Sequence, residues 1–348
     1  MKTKDTLRTI SLAIASILFI ASCSKQDGAI ENITPQGDAI SFAVKAVSAS
    51  EATTRATGEI NNISNLQSNS FGVFASYTGL HKYSDSNVSS DFIYNEEVSY
   101  DPGEGWTYSP VRYWPNGEGE DAALPHYVSF FAYAPYNSPC ISDVSNAHET
   151  GDPWITYKLA ADVANQEDLL YAMQLDQTKQ AIGDCVTFEF QHALACVGDR
   201  VTISMSDELE TALGINTLKL TDVSIDYTLT AKAKLVLWNN GTANWLPILS
   251  ENATVVRSVS LLSSGDEEIT TSSPWEMVGE GVFYIPLTVG DNTQKAEVHI
   301  SYDVYDKNDT KVDALSTSGT VTLKLSDYAD AYKAGKQLDI DIILKNLN

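Results

Sequence analysis

Ile40-Ser41-Phe42-Ala43-Val44-Lys45-Ala46 sets Ile40, Phe42, Val44 and Ala46 at alternate positions, with smaller or polar residues between them. Successive side chains leave an extended backbone on opposite sides, so this alternation predicts a strand with one buried face. The pattern recurs. In 71–77 it brings Phe71, Val73, Ala75 and Tyr77 together, and in 127–134 Val128, Phe130, Ala132 and Ala134. Further segments of this kind fall at 186–190, 200–205, 218–225, 232–238, 281–287, 297–305, 320–325 and 338–344. β-Branched and aromatic residues fill them, while Gly, Asn, Asp and Ser punctuate them, which predicts an all-β fold of the sandwich kind. One short helix is expected where Asp207 and Glu210 form a capping box and Gly214 a stop.

Upstream of the first strand, residues 1–21 carry Lys2, Lys4 and Arg8, then a twelve-residue apolar run from Ile10 to Ala21. A charged start, a short apolar run and small residues before a cut make a secretory signal. The run is too short to span a bilayer, which takes about 20 residues. Ile20-Ala21-Ser22-Cys23 turns it into a lipoprotein signal over residues 1–22, with Cys23 as the acylated first residue of the mature chain. Lipid on Cys23 would tether the protein to a membrane. Residues 24–38 are polar and turn-rich and read as the tether.

Losing residues 1–22 removes a net charge of +2, so the formal charge of −24 becomes −26. Phosphate backbones and anionic headgroups repel such a chain, which excludes nucleic acid as a partner. The mature length of about 325 residues suits two domains, and 43% hydrophobic residues suffice to fold both. A stretch poor in apolar residues at 176–183 marks the expected boundary, with domains over 56–180 and 181–348. Cys140, Cys185 and Cys196 remain after lipidation, an odd number that permits one disulfide at most; buried small apolar residues are the simplest reading.

Several segments together resemble the fimbrillin family, the subunits of lipoprotein-derived (type V) pili of Gram-negative anaerobes. They are Phe71-Gly72-Val73-Phe74-Ala75, Trp106-Thr107-Tyr108-Ser109-Pro110-Val111-Arg112-Tyr113-Trp114-Pro115 and Val128-Ser129-Phe130-Phe131-Ala132-Tyr133-Ala134-Pro135. Asp168-Leu169-Leu170-Tyr171-Ala172, Phe188-Glu189-Phe190-Gln191-His192-Ala193-Leu194 and Tyr332-Lys333-Ala334-Gly335-Lys336 follow in order. The resemblance implies two tandem β-sandwich (transthyretin-like) domains and a maturation route at the cell outer membrane. An arginine-specific protease cuts after the first strand, residues 23–55 leave as a propeptide, and a strand from another pilin subunit fills the vacated groove.

The residues fit that route. Arg55, followed by Ala56, is the one arginine between Cys23 and Arg112, and it lies among small polar residues open to a protease. Strand addition supplies main-chain hydrogen bonds for affinity and alternate side-chain pockets for specificity. The strand at 338–344, with Leu338, Ile340, Ile342 and Leu344 on one face, is a candidate donor. Stalk subunits usually carry more chain beyond this point, whereas only Lys345-Asn346-Leu347-Asn348 follows here. Either this strand is itself the donor, or the subunit accepts a strand without giving one, as a tip subunit would.

Signals for catalysis or a cofactor are weak. His81, His126, His148, His192 and His299 are scattered without ligand spacing, and no nucleophile-elbow, zinc-protease or phosphate-loop motif occurs. His192, after alternating Phe188 and Phe190, reads as a packed strand-end histidine. Asp306-Lys307-Asn308-Asp309-Thr310 lacks the glycine and glutamate of a calcium loop and reads as a hairpin turn. Gly117-Glu118-Gly119-Glu120-Asp121 reads as a solvated acidic loop. Trp106, Tyr113 and Trp114 are expected to staple the core; exposed, they would make a sugar-stacking platform and favour a non-polymerising, glycan-binding surface lipoprotein. The expected function is therefore structural and adhesive rather than enzymatic, with pilin subunits and a host or bacterial surface ligand as partners.

Overall fold

A computed structural model of the chain describes residues 38–48, 58–116, 121, 123–248, 253–287, 294–328, 330 and 333–346. The lipoprotein signal, Cys23, Arg55, Ala56 and most of the acidic loop at 117–121 lie outside the described residues. Among the described residues no helix is long and apolar enough to cross a membrane. The fold is all-β, as expected. Among the described residues nineteen strands form four sheets, with three short α-helices: α1 (Ile63–Gln67), α2 (Lys179–Ile182) and α3 (Asp207–Leu213).

The first sheet has seven strands in the order β1 (Ser41–Val47), β9 (Cys185–His192), β8 (Leu170–Gln177), β5 (Tyr127–Ala134), β2 (Phe71–Gly79), β3 (Ile93–Asp101) and β4 (Gly105–Thr107). Its two ends, β1 and β4, come into contact, so the sheet rolls around one core. That core holds Ile40, Phe42, Phe71, Val73, Trp106, Trp114, Phe130, Phe188 and Phe190. The expected inward faces of β2 and β5 point into it, except for Tyr77, which is exposed at the end of its strand. Their other faces are buried too: Phe74, Phe131 and Tyr133 belong to a second core that runs through the rest of the molecule. These strands are therefore covered on both sides, and Gly72 lets the Tyr133 ring lie against the backbone: a Cβ there would sit 2.5 Å from the ring.

The second sheet is β13 (Ala243–Pro247), β12 (Lys232–Leu237), β7 (Trp154–Lys158) and β6 (Ile141–Val144). The third is β14 (Thr254–Glu268), β11 (Thr217–Thr230), β17 (Lys295–Tyr305) and β18 (Thr317–Lys324). In the fourth, β10 (Ala195–Met205) pairs with β15 (Trp275–Val278), β16 (Val282–Tyr284) and, in parallel, β19 (Gln337–Leu344). Arg257 lies fully buried in the second core, where its guanidinium donates to the carbonyls of Ala160 and Phe283 and to Gln166.

The sheets cross the boundary expected after residue 180. Residues 185–192 belong to the first sheet, and the second sheet joins strands from both halves through the β7–β12 pairing. Composition marked a turn, α2, rather than the end of a structural unit. Helix α3 forms where expected, but its cap is Ser206, whose hydroxyl accepts from the Leu209 amide, one residue ahead of the expected Asp207. Cys140 and Cys196 carry free thiols.

One strand that the alternation rule passes over has a visible cause. In β3 the buried residues Ile93 and Val98 are five apart, because Asn95 takes a positive φ and the pairing with β2 shifts register. The expected strand at 218–225 forms within β11, which shifts register twice against β14, so no single alternation runs its length.

Candidate strand-binding groove

β1 occupies an end of the first sheet and pairs in parallel with β9, from Ser41 opposite Cys185 to Val47 opposite Phe190. The pairing is tied at its start by Ser41 N–H donating to Asp184 O at 2.8 Å and at its end by Ser48 N–H donating to Phe190 O at 2.7 Å. On the other side of the strand entrance, Ala39 forms an antiparallel bridge with Tyr113. Ile40 N–H donates to Arg112 O, and Trp114 N–H donates to Asp38 O, both at 2.8 Å. The Tyr108 hydroxyl donates to Ile40 O at 3.0 Å and accepts from Arg112 N–H at 3.0 Å. Burial pushes this phenol up to about 12, so it stays a neutral donor. β1 is thus held between β9 and residues 112–114.

The side chains follow the expected alternation for half of the strand. Ile40 and Phe42 are fully buried. The Phe42 ring stacks on Phe188, with centroids 5.8 Å apart, and meets Tyr108, Phe130 and Phe71 at 5.1, 6.0 and 6.4 Å. Val44 is only partly buried. A bulge then shifts the register between Val44 and Ala46, so Val47 takes the inward place that alternation assigned to Ala46. Burial of Ile40 and Phe42 contributes about 3–6 kcal/mol in total. Around the rim, Lys45 pairs with Glu189 at 2.6 Å and Lys179 with Asp38; both pairs are exposed enough to add little.

The far end of the groove holds a buried pair that strand periodicity could not reveal. His192, the last residue of β9, places Nδ1 2.7 Å from Asp168 Oδ2 and Nε2 3.1 Å from the Ser48 carbonyl. Burial, the largest single influence, opposes the ring's charge, but the charge and hydrogen bond of Asp168, with Glu59 and the Ser48 carbonyl, together outweigh it, and the net shift is upward. Asp168 also accepts from the Ile60 and Leu169 amides, and its own N–H donates to Gly58 O. The residues on either side of 49–57, the segment that contains Arg55, are therefore tied to one side-chain pair.

At the opposite end of the chain, β19 is a strand with Ile340 and Ile342 buried and Leu338 and Leu344 partly buried against the second core. It lies in parallel on β10, within this chain's own sheet. Trp106 and Trp114 are buried, and Trp106 stands opposite Tyr100 across β3 and β4. They staple the core, whereas Tyr113 is exposed. The Asp306 carboxylate accepts from Asn308 N–H and Thr310 N–H, so it closes a hairpin turn with its own backbone. Among the described residues no group of three or more His, Cys, Asp or Glu side chains could hold a metal ion.

An all-β chain whose first strand completes an aromatic core from the sheet end matches the model of the fimbrillin-like family over residues 54–348. The chain belongs to that family. Membership supports a role as a pilus subunit or adhesin at the cell surface. In fold, the chain is similar to a fimbrial protein from Bacteroides vulgatus, with a TM-score of 0.65 and 18% identity over 89% of this chain and 96% of that one. It also aligns with the fimbrial anchor protein Mfa2 from Porphyromonas gingivalis, at 10% identity and a TM-score of 0.36, over 88% of this chain and 90% of that one. No curated protein matches.

Proposed function

We propose that this fimbrillin-like chain is a pilus subunit primed by loss of its first strand. It is exported as a lipoprotein, acylated at Cys23 and carried to the outer membrane, where an arginine-specific protease cuts between Arg55 and Ala56. The observation that carries this reading is the placement of β1. The strand lies at a sheet end, its burial rests on two side chains, and its exit leads directly into the segment with Arg55. Loss of residues 23–55 leaves Phe71, Phe130, Phe188 and Tyr108 facing an empty groove, and about 3–6 kcal/mol of lost burial favours a replacement strand.

The housing of β19 supports an accepting position, as at a pilus tip. Withdrawing Ile340 and Ile342 to serve as a donor would open this chain's own second core. Cleavage is tested by treating the soluble chain, residues 24–348, with a low dose of trypsin and sequencing the new N-terminus. A single early cut after Arg55, followed by loss of the strand and oligomerisation, is expected. Processing and assembly of an Arg55→Ala variant at the wild-type level would refute the proposal.

A further inference from the structure

The ring of His192 has an acceptor at each nitrogen. Nδ1 faces a carboxylate oxygen of Asp168 and Nε2 faces the backbone carbonyl of Ser48. A neutral imidazole carries one N–H and satisfies one of them; both bonds form together only when the ring is doubly protonated. Asp168 already accepts two backbone amides, from Ile60 and Leu169, which favours its oxygens as acceptors from Nδ1–H rather than as a donor to it. The couple is sealed from water, with side-chain exposures of 5% for His192 and 1% for Asp168.

We propose that His192, held by Asp168, is a binding site for the terminal carbonyl of the strand that fills the groove, and that strand docking there is coupled to ring protonation. The proposal rests on the groove reading given above and adds the element that fixes where the strand ends. In the intact chain the ligand is the Ser48 carbonyl. When the first strand leaves, the Nε2–H loses its acceptor and stands at the groove's end as a charged donor. An extended strand of another subunit, running parallel to β9 as β1 does, would present a backbone carbonyl at this point. Charge-assisted hydrogen bonds are about twice as strong as neutral ones, so this contact favours one register over a slipped one.

Raising the pH removes the second N–H. The ring then keeps its bond to the buried carboxylate and releases the strand carbonyl. The charged groups facing the ring are acidic: Asp168, and Glu59 on the segment leading into α1. The turn around Gly335, whose Cβ position lies 3.6 Å from that of His192, carries Lys336 and also Lys333, which is ion-paired to Asp330. From β1 itself the nearest charge along the chain, Lys45, is engaged by Glu189 at the surface. Docking therefore favours the doubly protonated ring, and alkaline conditions loosen the strand end.

Two measurements test this. Heteronuclear NMR of the His192 ring in the intact soluble chain is expected to show both nitrogens protonated at pH 6.5, with a titration midpoint above that of the urea-unfolded chain. A ring with one bare nitrogen at that pH would overturn the proposal. In chain nicked after Arg55, release of the N-terminal fragment is expected to quicken about tenfold between pH 6 and pH 9. His192→Gln, which keeps a donor but cannot titrate, is expected to lose that dependence. A pH dependence retained in His192→Gln, or absent from wild type, would also overturn it. If trypsin leaves Arg55 uncut, the maturation reading fails by itself, and the ring titration of the intact chain still decides the carbonyl site.

Discussion

Replacing Phe42 with alanine is the most direct probe of the first strand. The ring is completely buried, stacked on Phe188 at 5.8 Å and flanked by Tyr108, Phe130 and Phe71. Emptying such a site costs about 3–5 kcal/mol, since the neighbouring rings belong to strands that relax only partly. Two further substitutions on the same strand set the scale. Val44 is half-buried, so Val44→Ala should cost about 1 kcal/mol. Lys45 is exposed and meets only Glu189, so Lys45→Ala should cost less than about 1 kcal/mol. Urea unfolding followed by tryptophan fluorescence is suited to the measurement, because Trp106 and Trp114 lie in this core, against Phe71 and Phe130. In chain nicked after Arg55, the Phe42→Ala loss should appear as retention of the strand fragment weakened a hundredfold or more. A Phe42→Ala cost under about 1 kcal/mol, or one equal to that of Lys45→Ala, would refute the claim that this strand completes the core.

Gly72→Ala forces a methyl to within 2.5 Å of the Tyr133 ring and should cost about 1–3 kcal/mol, read as a lowered melting temperature. Arg257→Lys loses the forked donors that serve Ala160, Gln166 and Phe283, leaving buried acceptors unmet; a cost of at least about 2 kcal/mol is expected by urea unfolding. Ser206→Ala removes the α3 cap and should cost about 1 kcal/mol by the same assay. His192 in the folded chain is shifted above its ordinary value of 6.5, so its protonated form favours the native state. That stability is complete below 6.5 and is lost as pH rises through the folded value. The difference in unfolding free energy between wild type and His192→Gln should shrink over that interval, and a difference that grows with pH would contradict the sign.

Much of the strand content was legible because its physics is local. Alternation in 71–77 and 127–134 reports which residues meet the first core, and burial of Phe71, Val73, Phe130 and Ala132 follows from it. Alternation failed where the backbone departs from a regular pleat. The bulge after Val44 sends Ala46 away from the core and brings Val47 in, and the positive φ of Asn95 hides β3. Ser206 was overlooked as a cap because Asp207 stands next to it and Glu210 completes a plausible box with the wrong partner.

By itself, the sequence determined the all-β class, the two-tryptophan staple of the first core and the strand character of 40–46 and 338–344, since each depends on residues close along the chain. Only the tertiary structure decided what lies beside what. It placed β9 next to β1, 144 residues apart at the His192–Ser48 contact, and joined the two halves through the second sheet. It also turned a histidine at a strand end into one half of a buried, hydrogen-bonded couple with Asp168. Pairings between distant strands leave no periodic trace, because each partner's pattern records only that a face is buried and not which surface buries it.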